Sequence, residues 1–347
     1  MSLVLPLANW PAQDRDMWDS LQKAAGPLDD CGALAHLRAT SLKSLELRYA
    51  RWLQWLTNTD MDAITLPPPQ RATLPRLSAW LQDLSHTRPM TRLMFIDGVL
   101  RILSAADPTQ DWSGQRRLKT GLKRAAGRGD RDRKLGRVLS SEVLFRAGMT
   151  LATDHAEAAP TPLRRLMHLR DGTMIAMLAL MPMRRRAFAG LRIDVSLHVT
   201  PDAMSVALPG DLTKSGHPWE AEVPQSVEPL LRRYITEARP FFMERGQQHH
   251  DVLWVGKTGA PLKKDALSPR IAEQTLKLTG HRVPPHFFRD AAATTLARSS
   301  PEHARLIRPI LAHTSFGTAE RHYIHAQTIE AGRDYAALIK QKRKVRR

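Results

Sequence analysis

The sequence predicts a mainly α-helical chain with one small antiparallel β-sheet in its second half, an α+β fold. Apolar residues recur at helical spacing through most of the 347 residues. Alternation with a period of two is confined to a short part of the second half. A strongly basic stretch separates the two halves near residues 125–138. We therefore expect an all-α first half and a mostly helical second half with a sheet near its start.

The first half is predicted to be a lead-in followed by a compact helical module. Residues 1–35 hold one short helix, around Asp14 to Ala25, which Gly26-Pro27 closes. Residues 36–125 are predicted as a bundle of about four helices, whose aromatic residues we interpret as core and not as a platform for stacking bases. Apolar stripes with helical spacing run over Ser41–Leu56, Leu74–Leu84 and from about Thr91 to Leu103.

The basic stretch from Arg116 to Arg137 favours a nucleic-acid partner. The chain has 52 Lys and Arg against 34 Asp and Glu, a formal net charge of +18, which implies a polyanion such as DNA. A solvated linker is the alternative; we favour a linker that crosses a phosphate backbone, with 126–138 as the linker proper. The candidate DNA contacts are Arg116, Arg117, Lys119, Lys123, Arg124 and Arg128.

The second half is predicted as one domain over 139–327, followed by a C-terminal helix and basic tail over 328–347. Helices are expected at about 140–156, 162–181 (stopped by Pro182), 184–190, 226–238, 265–279, 286–299, 301–311 and 328–341. Strands are expected at Leu191–Val199, Met204–Leu208 and Glu220–Val223, with a polar turn over 214–218 between the last two.

Composition also limits the compartment and the cofactors. No apolar run approaches the roughly 18 residues of a spanning helix, so no membrane partner is expected. The single cysteine, Cys31, fits a reducing cytoplasm and supplies no cysteine cluster for a metal. A metal site at His249-His250-Asp251 is the alternative, but that spacing suits no helical ligand pair, so we expect no metal and no cofactor.

Several residues of the second half could together handle a phosphodiester. His286 and Arg289 are three apart, so one helical face presents both. Breaking and rejoining a DNA strand requires cations on the phosphate oxygens, a nucleophile that stores the bond energy in a covalent intermediate, and an acid for the leaving oxygen. The remaining candidates are Arg184, Lys214, His313 and Tyr323.

Each candidate alone has an ordinary structural explanation, but their order and spacing resemble the tyrosine recombinase family, also called phage integrases. The resemblance covers about 140–340; residues 36–110 are more loosely similar to the family's core-binding, SAM-like domain. The segments that carry it are M-P-M-R-R-R-A-F-A-G-L-R-I-D with Arg184, L-T-K-S-G-H-P with Lys214, H-F-F-R with His286 and Arg289, L-A-H with His313, and E-R-H-Y-I-H with Tyr323.

The resemblance implies a site-specific recombinase that works through a 3′-phosphotyrosyl intermediate without metal or ATP. Arg184 and Arg289 would clamp the phosphate, Lys214 would protonate the leaving oxygen, and Tyr323 would attack. It also implies double-stranded DNA as partner, a homotetramer at synapsis, accessory DNA-bending proteins, and a bacterial, nucleoid-associated location. The alternatives are a type IB topoisomerase-like enzyme and a DNA-binding relative with weak catalysis.

The chain departs from the family pattern at one place that concerns the arginines. Ala187 stands where the family usually has an acidic residue that supports them. Its absence either loosens the site, or another carboxylate substitutes for it.

Overall fold

The computed structural model describes residues 3–24, 26, 30–127, 138–213, 216, 218–299 and 306–310. The chain divides into two compact units, Met1–Arg131 and Asp132–Arg347, each of which is described by itself. In the described part, helices predominate and the sheet has three strands, which confirms the predicted fold class. None of the described helices combines the length and apolarity that crossing a bilayer requires.

The first unit is a helical bundle around a core rich in tryptophan. Trp52 and Trp80 are fully buried and their rings lie 5.0 Å apart, while Trp112 closes the same core from the start of the last helix. Its helices are α1 (Ala12–Gln22), α2 (Ala39–Thr59), α3 (Met61–Thr65), α4 (Pro68–Arg71), α5 (Leu74–Asp83), α6 (Pro89–Ala106) and α7 (Ser113–Ala126).

The predicted lead-in is in fact part of this bundle. Trp10 and Trp18 pack in the same core as α2 and α6. Asp14 of α1 is fully buried; it accepts a 2.6 Å hydrogen bond from the Tyr49 hydroxyl and pairs with Arg71 at 2.7 Å. Burial and the neighbouring carboxylate raise the pKa of Tyr49 well above its usual value, so its hydroxyl keeps the proton that it donates. The residues before and after position 35 therefore share one core, and no packing boundary lies there.

The basic stretch is also more structured than a linker over its first part. Residues 116–126 belong to α7, where Leu118 and Leu122 pack on the core and Gln115 is buried. Its few apolar side chains recur at helical spacing and dock the helix, so residues 116–125 belong to the helical module, within the range predicted for it. The rest of the stretch, from Arg128 to Arg137, lies outside the described residues.

The second unit packs its helices around α10, which is buried along most of its length. The sheet runs antiparallel in the order β1-β2-β3, with Leu197 opposite Val206 and Leu208 opposite Trp219. The elements are α8 (Ser141–Ala152), α9 (Asp154–Glu157), α10 (Pro162–Leu180), α11 (Arg185–Ala189), β1 (Leu197–Val199), β2 (Met204–Leu208), β3 (Trp219–Glu222), α12 (Glu228–Arg233), α13 (Arg239–Arg245), α14 (Lys264–Thr279) and α15 (Pro285–Ser299).

Two predicted elements differ from the structure. The first strand is shorter than predicted: a tight turn, in which Asp194 has a φ of 60°, occupies its first part and leaves only β1 as strand. The helix predicted to end at 238 continues through a π-helical segment, Tyr234–Ala238, into α13. Of the two helices predicted after Ser299, only a turn over Ile307–Ile310 is described; residues 311–347 lie outside.

Helices α8 and α10 cross at two glycines. A Cβ on Gly172 would lie 2.5 Å from the backbone nitrogen of Ala152 and 2.5 Å from the carbonyl oxygen of Gly148. A Cβ on Gly148 would lie 2.5 Å from the backbone nitrogen of Ala176. These atoms are backbone and cannot move aside, so only glycine permits this separation of the two helices.

We predict that Gly172→Ala lowers the free energy of unfolding by about 2 kcal/mol, because the added methyl must force the two backbones apart. Urea unfolding monitored by circular dichroism measures the change. Gly121→Ala is the control, since no described atom outside its own helix backbone lies within 4 Å of its Cβ position and the free energy of unfolding should not fall. Equal stabilities for wild type and Gly172→Ala would contradict the packing described.

Candidate active site

Arg184 lies at the break between α10 and α11. Pro182 follows the end of α10 and has no N–H to continue it. Arg184 is the residue before α11 and has an extended backbone, with φ −67° and ψ 141°. Because the flanking Met181 and Met183 are buried, the break is held in the core and the half-buried Arg184 side chain starts from a fixed position.

His286 and Arg289 occupy the first turn of α15, as their spacing predicted, but their surroundings differ. His286 is exposed, with its ring against the edge of Phe287 at 4.6 Å between centroids. Arg289 is half-buried. Phe288, which directly precedes it in α15, is fully buried. The backbone N–H of Ser141, at the start of α8, donates to the Thr295 hydroxyl at 2.9 Å and fixes α15 along its length.

The two arginines meet across this break. Arg289 Nη1 donates to the carbonyl oxygen of Pro182 at 2.7 Å. Burial, and secondly the positive charge of Arg184, lower the pKa of Arg289 to about 10, opposed by Asp290. Burial also lowers the pKa of Arg184. The protein therefore holds two like charges near each other in a partly dry site, an arrangement that an anion would relieve.

Both guanidinium groups line one cleft with the β2–β3 hairpin. The cleft is open, and its volume of about 320 Å³ includes open solvent. Of its described lining residues, two are arginines and none is a carboxylate, so its charge favours an anion. The lining residues are Pro182, Met183, Arg184, Ala187, Leu208, Leu212, Thr213, Trp219, Arg289 and Ile310.

Ala187 is buried, and lines the cleft. Position 187 thus offers no carboxylate to the arginines, and one contact that orients Arg289 is the carbonyl of Pro182. A carbonyl orients a guanidinium group without cancelling its charge, whereas a carboxylate would. This contact was not expected from the sequence, although the break after α10 leaves backbone carbonyls that no helix uses, which is the signal that could have found it.

The other three predicted actors, Lys214, His313 and Tyr323, lie outside the described residues. Two residues near them in the sequence are described: Thr213, which directly precedes Lys214, and Ile310, which comes three residues before His313. Both Thr213 and Ile310 line the cleft. The structure thus brings together Arg184 and Arg289, with His286 on the same helix turn as Arg289.

The candidate DNA contacts of the first unit share the exposed side of α7. Arg116, Arg117, Lys123 and Arg124 are exposed. Lys119 differs, because its ammonium group lies 3.3 Å from the Asp97 carboxylate of α6. Arg128 lies outside the described residues.

The alternative metal site at His249-His250-Asp251 is occupied by other contacts. Asp251 pairs with Arg192 at 2.8 Å, and this hydrogen bond lowers the pKa of the carboxyl. His250 Nε2 lies 2.9 Å from the carbonyl oxygen of Gly259. Within the described residues there is no group of three or more histidine, cysteine or acidic side chains that could hold a metal ion.

Comparisons with known proteins place this site in context. The phage integrase family matches residues 154–330, about half of the chain. A post-cleavage complex of the XerH site-specific recombinase with a palindromic difH substrate is 16% identical, with a TM-score of 0.59, covering 87% of this chain and 80% of that one. A pre-cleavage XerH complex with difH is 14% identical, with a TM-score of 0.58, covering 95% and 97%. The curated protein sequences contain no match.

We predict that sulfate raises the Tm of the protein in proportion to the logarithm of its concentration, because an anion relieves the repulsion between Arg184 and Arg289. Arg184→Ala should abolish most of this rise in a thermal-shift titration. Arg185→Ala is the control: this exposed neighbour is not part of the cleft and should leave the rise intact. An equal loss in both variants would indicate general salt stabilisation and contradict a cleft for anions.

Proposed function

Because this chain belongs to the phage integrase family of tyrosine-type site-specific recombinases, we propose that it cuts and rejoins DNA strands through a 3′-phosphotyrosyl intermediate, without metal or ATP. The observation that carries the proposal is the convergence of Arg184 and Arg289 on one cleft free of described carboxylates. Two fixed cations are what a scissile phosphodiester requires when no metal neutralises it.

Arg184 and Arg289 bind the two non-bridging oxygens of the scissile phosphate. Negative charge on these oxygens grows in the pentacoordinate transition state, so donors already in position stabilise that state more than the ground state. The carbonyl of Pro182 positions Arg289 before DNA arrives. Little reorganisation is then needed when the reaction begins.

Lys214 is the general acid for the leaving 5′ oxygen. Covalent geometry supports this role, because the Cα of Lys214 is ~3.8 Å from that of Thr213, which lines the cleft. Protonation of the leaving oxygen removes the need to expel an alkoxide.

His313 donates a further hydrogen bond to the phosphate. His286 either donates a hydrogen bond to the phosphate or accepts the proton of the Tyr323 hydroxyl. Ile310, three residues before His313 in the sequence, lines the cleft. His286 is on the exposed side of the first turn of α15, toward solvent and an arriving duplex.

Tyr323 is the nucleophile. Its phenolate oxygen attacks the phosphorus, the bond to the 5′ oxygen breaks, and that oxygen takes a proton from Lys214. The resulting phosphotyrosyl ester keeps the bond energy, so a 5′ hydroxyl of a second strand can reverse the step without ATP. Thirteen residues separate Tyr323 from Ile310, so chain length alone does not restrict its position; the family motif is what supports this role.

Double-stranded DNA is the substrate and a homotetramer the synaptic assembly in this proposal, with accessory DNA-bending proteins as further partners. The two similar XerH structures are described as complexes with difH substrate DNA. The chain's +18 formal charge suits the same partner. Recombination between two duplexes cleaves four strands in all. Each cleavage uses the active site of one chain, so a tetramer supplies the four sites required.

We predict that a nicked suicide duplex carrying the target site traps a covalent protein–DNA adduct, because the nick releases the leaving strand and prevents religation. Denaturing electrophoresis with labelled DNA detects the adduct. Tyr323→Phe should lose the adduct while retaining DNA affinity, since only the attacking oxygen is removed. An adduct that persists in Tyr323→Phe would exclude this nucleophile, and relaxation of plasmids without any target site would favour the topoisomerase-like alternative.

We predict that Lys214→Ala slows cleavage by about 10³-fold, within the range of general acid catalysis. A substrate with sulfur in place of the bridging 5′ oxygen should restore most of the rate, because a thiolate leaves without protonation. Single-turnover cleavage of both substrates measures the effect. Arg184→Ala is the contrast: its defect concerns the non-bridging oxygens, so the sulfur substrate should not restore its rate. Equal rescue of both variants would remove Lys214 from the role of acid.

A further inference from the structure

Gly121 lies in the middle of α7, where a glycine is unfavourable for the helix. A glycine inside a helix costs about 0.5–1 kcal/mol relative to alanine, because it gives up more backbone freedom on folding. Elsewhere in the chain such a glycine has a packing reason, as at the crossing of α8 and α10. In the described part of the chain, no atom lies within 4 Å of the position that a Cβ on Gly121 would occupy.

The surface around Gly121 is basic. Leu118 and Leu122 pack on the core, whereas Gly121 is exposed and lies at the border of this docked side of the helix. Arg117 precedes it by four residues and Arg124 follows it by three, which makes both of them its neighbours on the helix surface. Both side chains are exposed, and the charge of Arg117 also acts on the exposed carboxylate of Asp111. The glycine thus forms a gap between two arginines.

The opposite flank of α7 provides a contrast within the same helix. Lys119 is engaged by Asp97 and therefore has an intramolecular partner. Of the exposed cations of α7, Arg117 and Arg124 are the two that neighbour Gly121, while Arg116 and Lys123 lie farther round the helix. A bare backbone between two arginines lets a phosphate come closer to the helix than any side chain would allow.

We propose that Gly121 is a positioning residue for DNA: it allows one backbone phosphate of the duplex to lie directly against α7, held by Arg117 and Arg124. This inference rests on the proposed function and extends it to the first unit. The glycine acts by admitting the phosphate, and the two arginines supply the charge. The contact fixes the duplex on the helix without reading its sequence.

The consequence is that helix stability and DNA affinity respond to one substitution with opposite signs. Gly121→Ala should raise the Tm of the full-length protein by roughly 2 °C, because alanine favours the helix and meets no neighbour. The same variant should bind a fluorescein-labelled random-sequence duplex roughly fivefold more weakly, because the methyl group displaces the phosphate. Gly121→Leu should weaken binding further.

The salt dependence separates this steric effect from a loss of charge. Gly121→Ala removes no cation, so the slope of log Kd against log salt concentration should remain that of the wild type. Arg117→Ala should reduce the slope by about one, because one phosphate contact is lost. Ser78→Ala is the matched control: it improves the helix propensity of α5 at an exposed position and should leave affinity unchanged.

Three outcomes would overturn the proposal. An unchanged affinity in Gly121→Ala, with the wild type still forming its covalent adduct, would remove only this inference. A lower Tm would mean that part of the protein fills the space beside Gly121. A wild type that neither binds duplex DNA nor forms the adduct would overturn the proposed function, and this inference with it.

Discussion

The hydrogen bond from Arg289 to the Pro182 carbonyl is the interaction on which the proposed site depends. It brings a half-buried guanidinium group against the break between α10 and α11, close enough to Arg184 for the two charges to oppose each other. Such a pair does not form by itself, because like charges repel and both lose hydration. Packing of the rest of the fold must offset this cost. Helices α10 and α15, which carry the two ends of the hydrogen bond, are held by a core in which α10 is almost wholly buried.

Buried ionic contacts hold the elements that carry this site. Asp171 of α10 accepts from the adjacent Arg170 at 2.8 Å and from Arg270 of α14 at 3.1 Å, while Arg170 also donates to the carbonyl of Val255. In the first unit, Asp14 and Arg71 connect α1 to α4 in the same manner. Buried ion pairs add little net stability compared with apolar packing, but removing one partner leaves an uncompensated charge. Their effect is to make one arrangement of the helices much better than its alternatives.

Charge serves different purposes in the two units. At the cleft it is concentrated: two arginines lie close to each other, and none of the described lining residues is a carboxylate. On α7 it is spread along one exposed side of a helix that the apolar residues Leu118 and Leu122 attach to the core. The first arrangement suits stabilisation of one reacting phosphate, and the second suits several phosphates of an intact duplex.

The sequence by itself determined the fold class, most helix positions and the residues that resemble a recombinase site, because helical periodicity and motif spacing are local properties. It could not show that the lead-in packs into the first bundle or that α7 is a helix docked by two leucines, since both depend on partners far away in the chain. Nor could the sequence show which group contacts the arginines in the absence of an acidic residue at Ala187. Only the tertiary structure showed that the carbonyl of Pro182 accepts a hydrogen bond from Arg289, 107 residues later, because that contact depends on how α10 and α15 pack against each other.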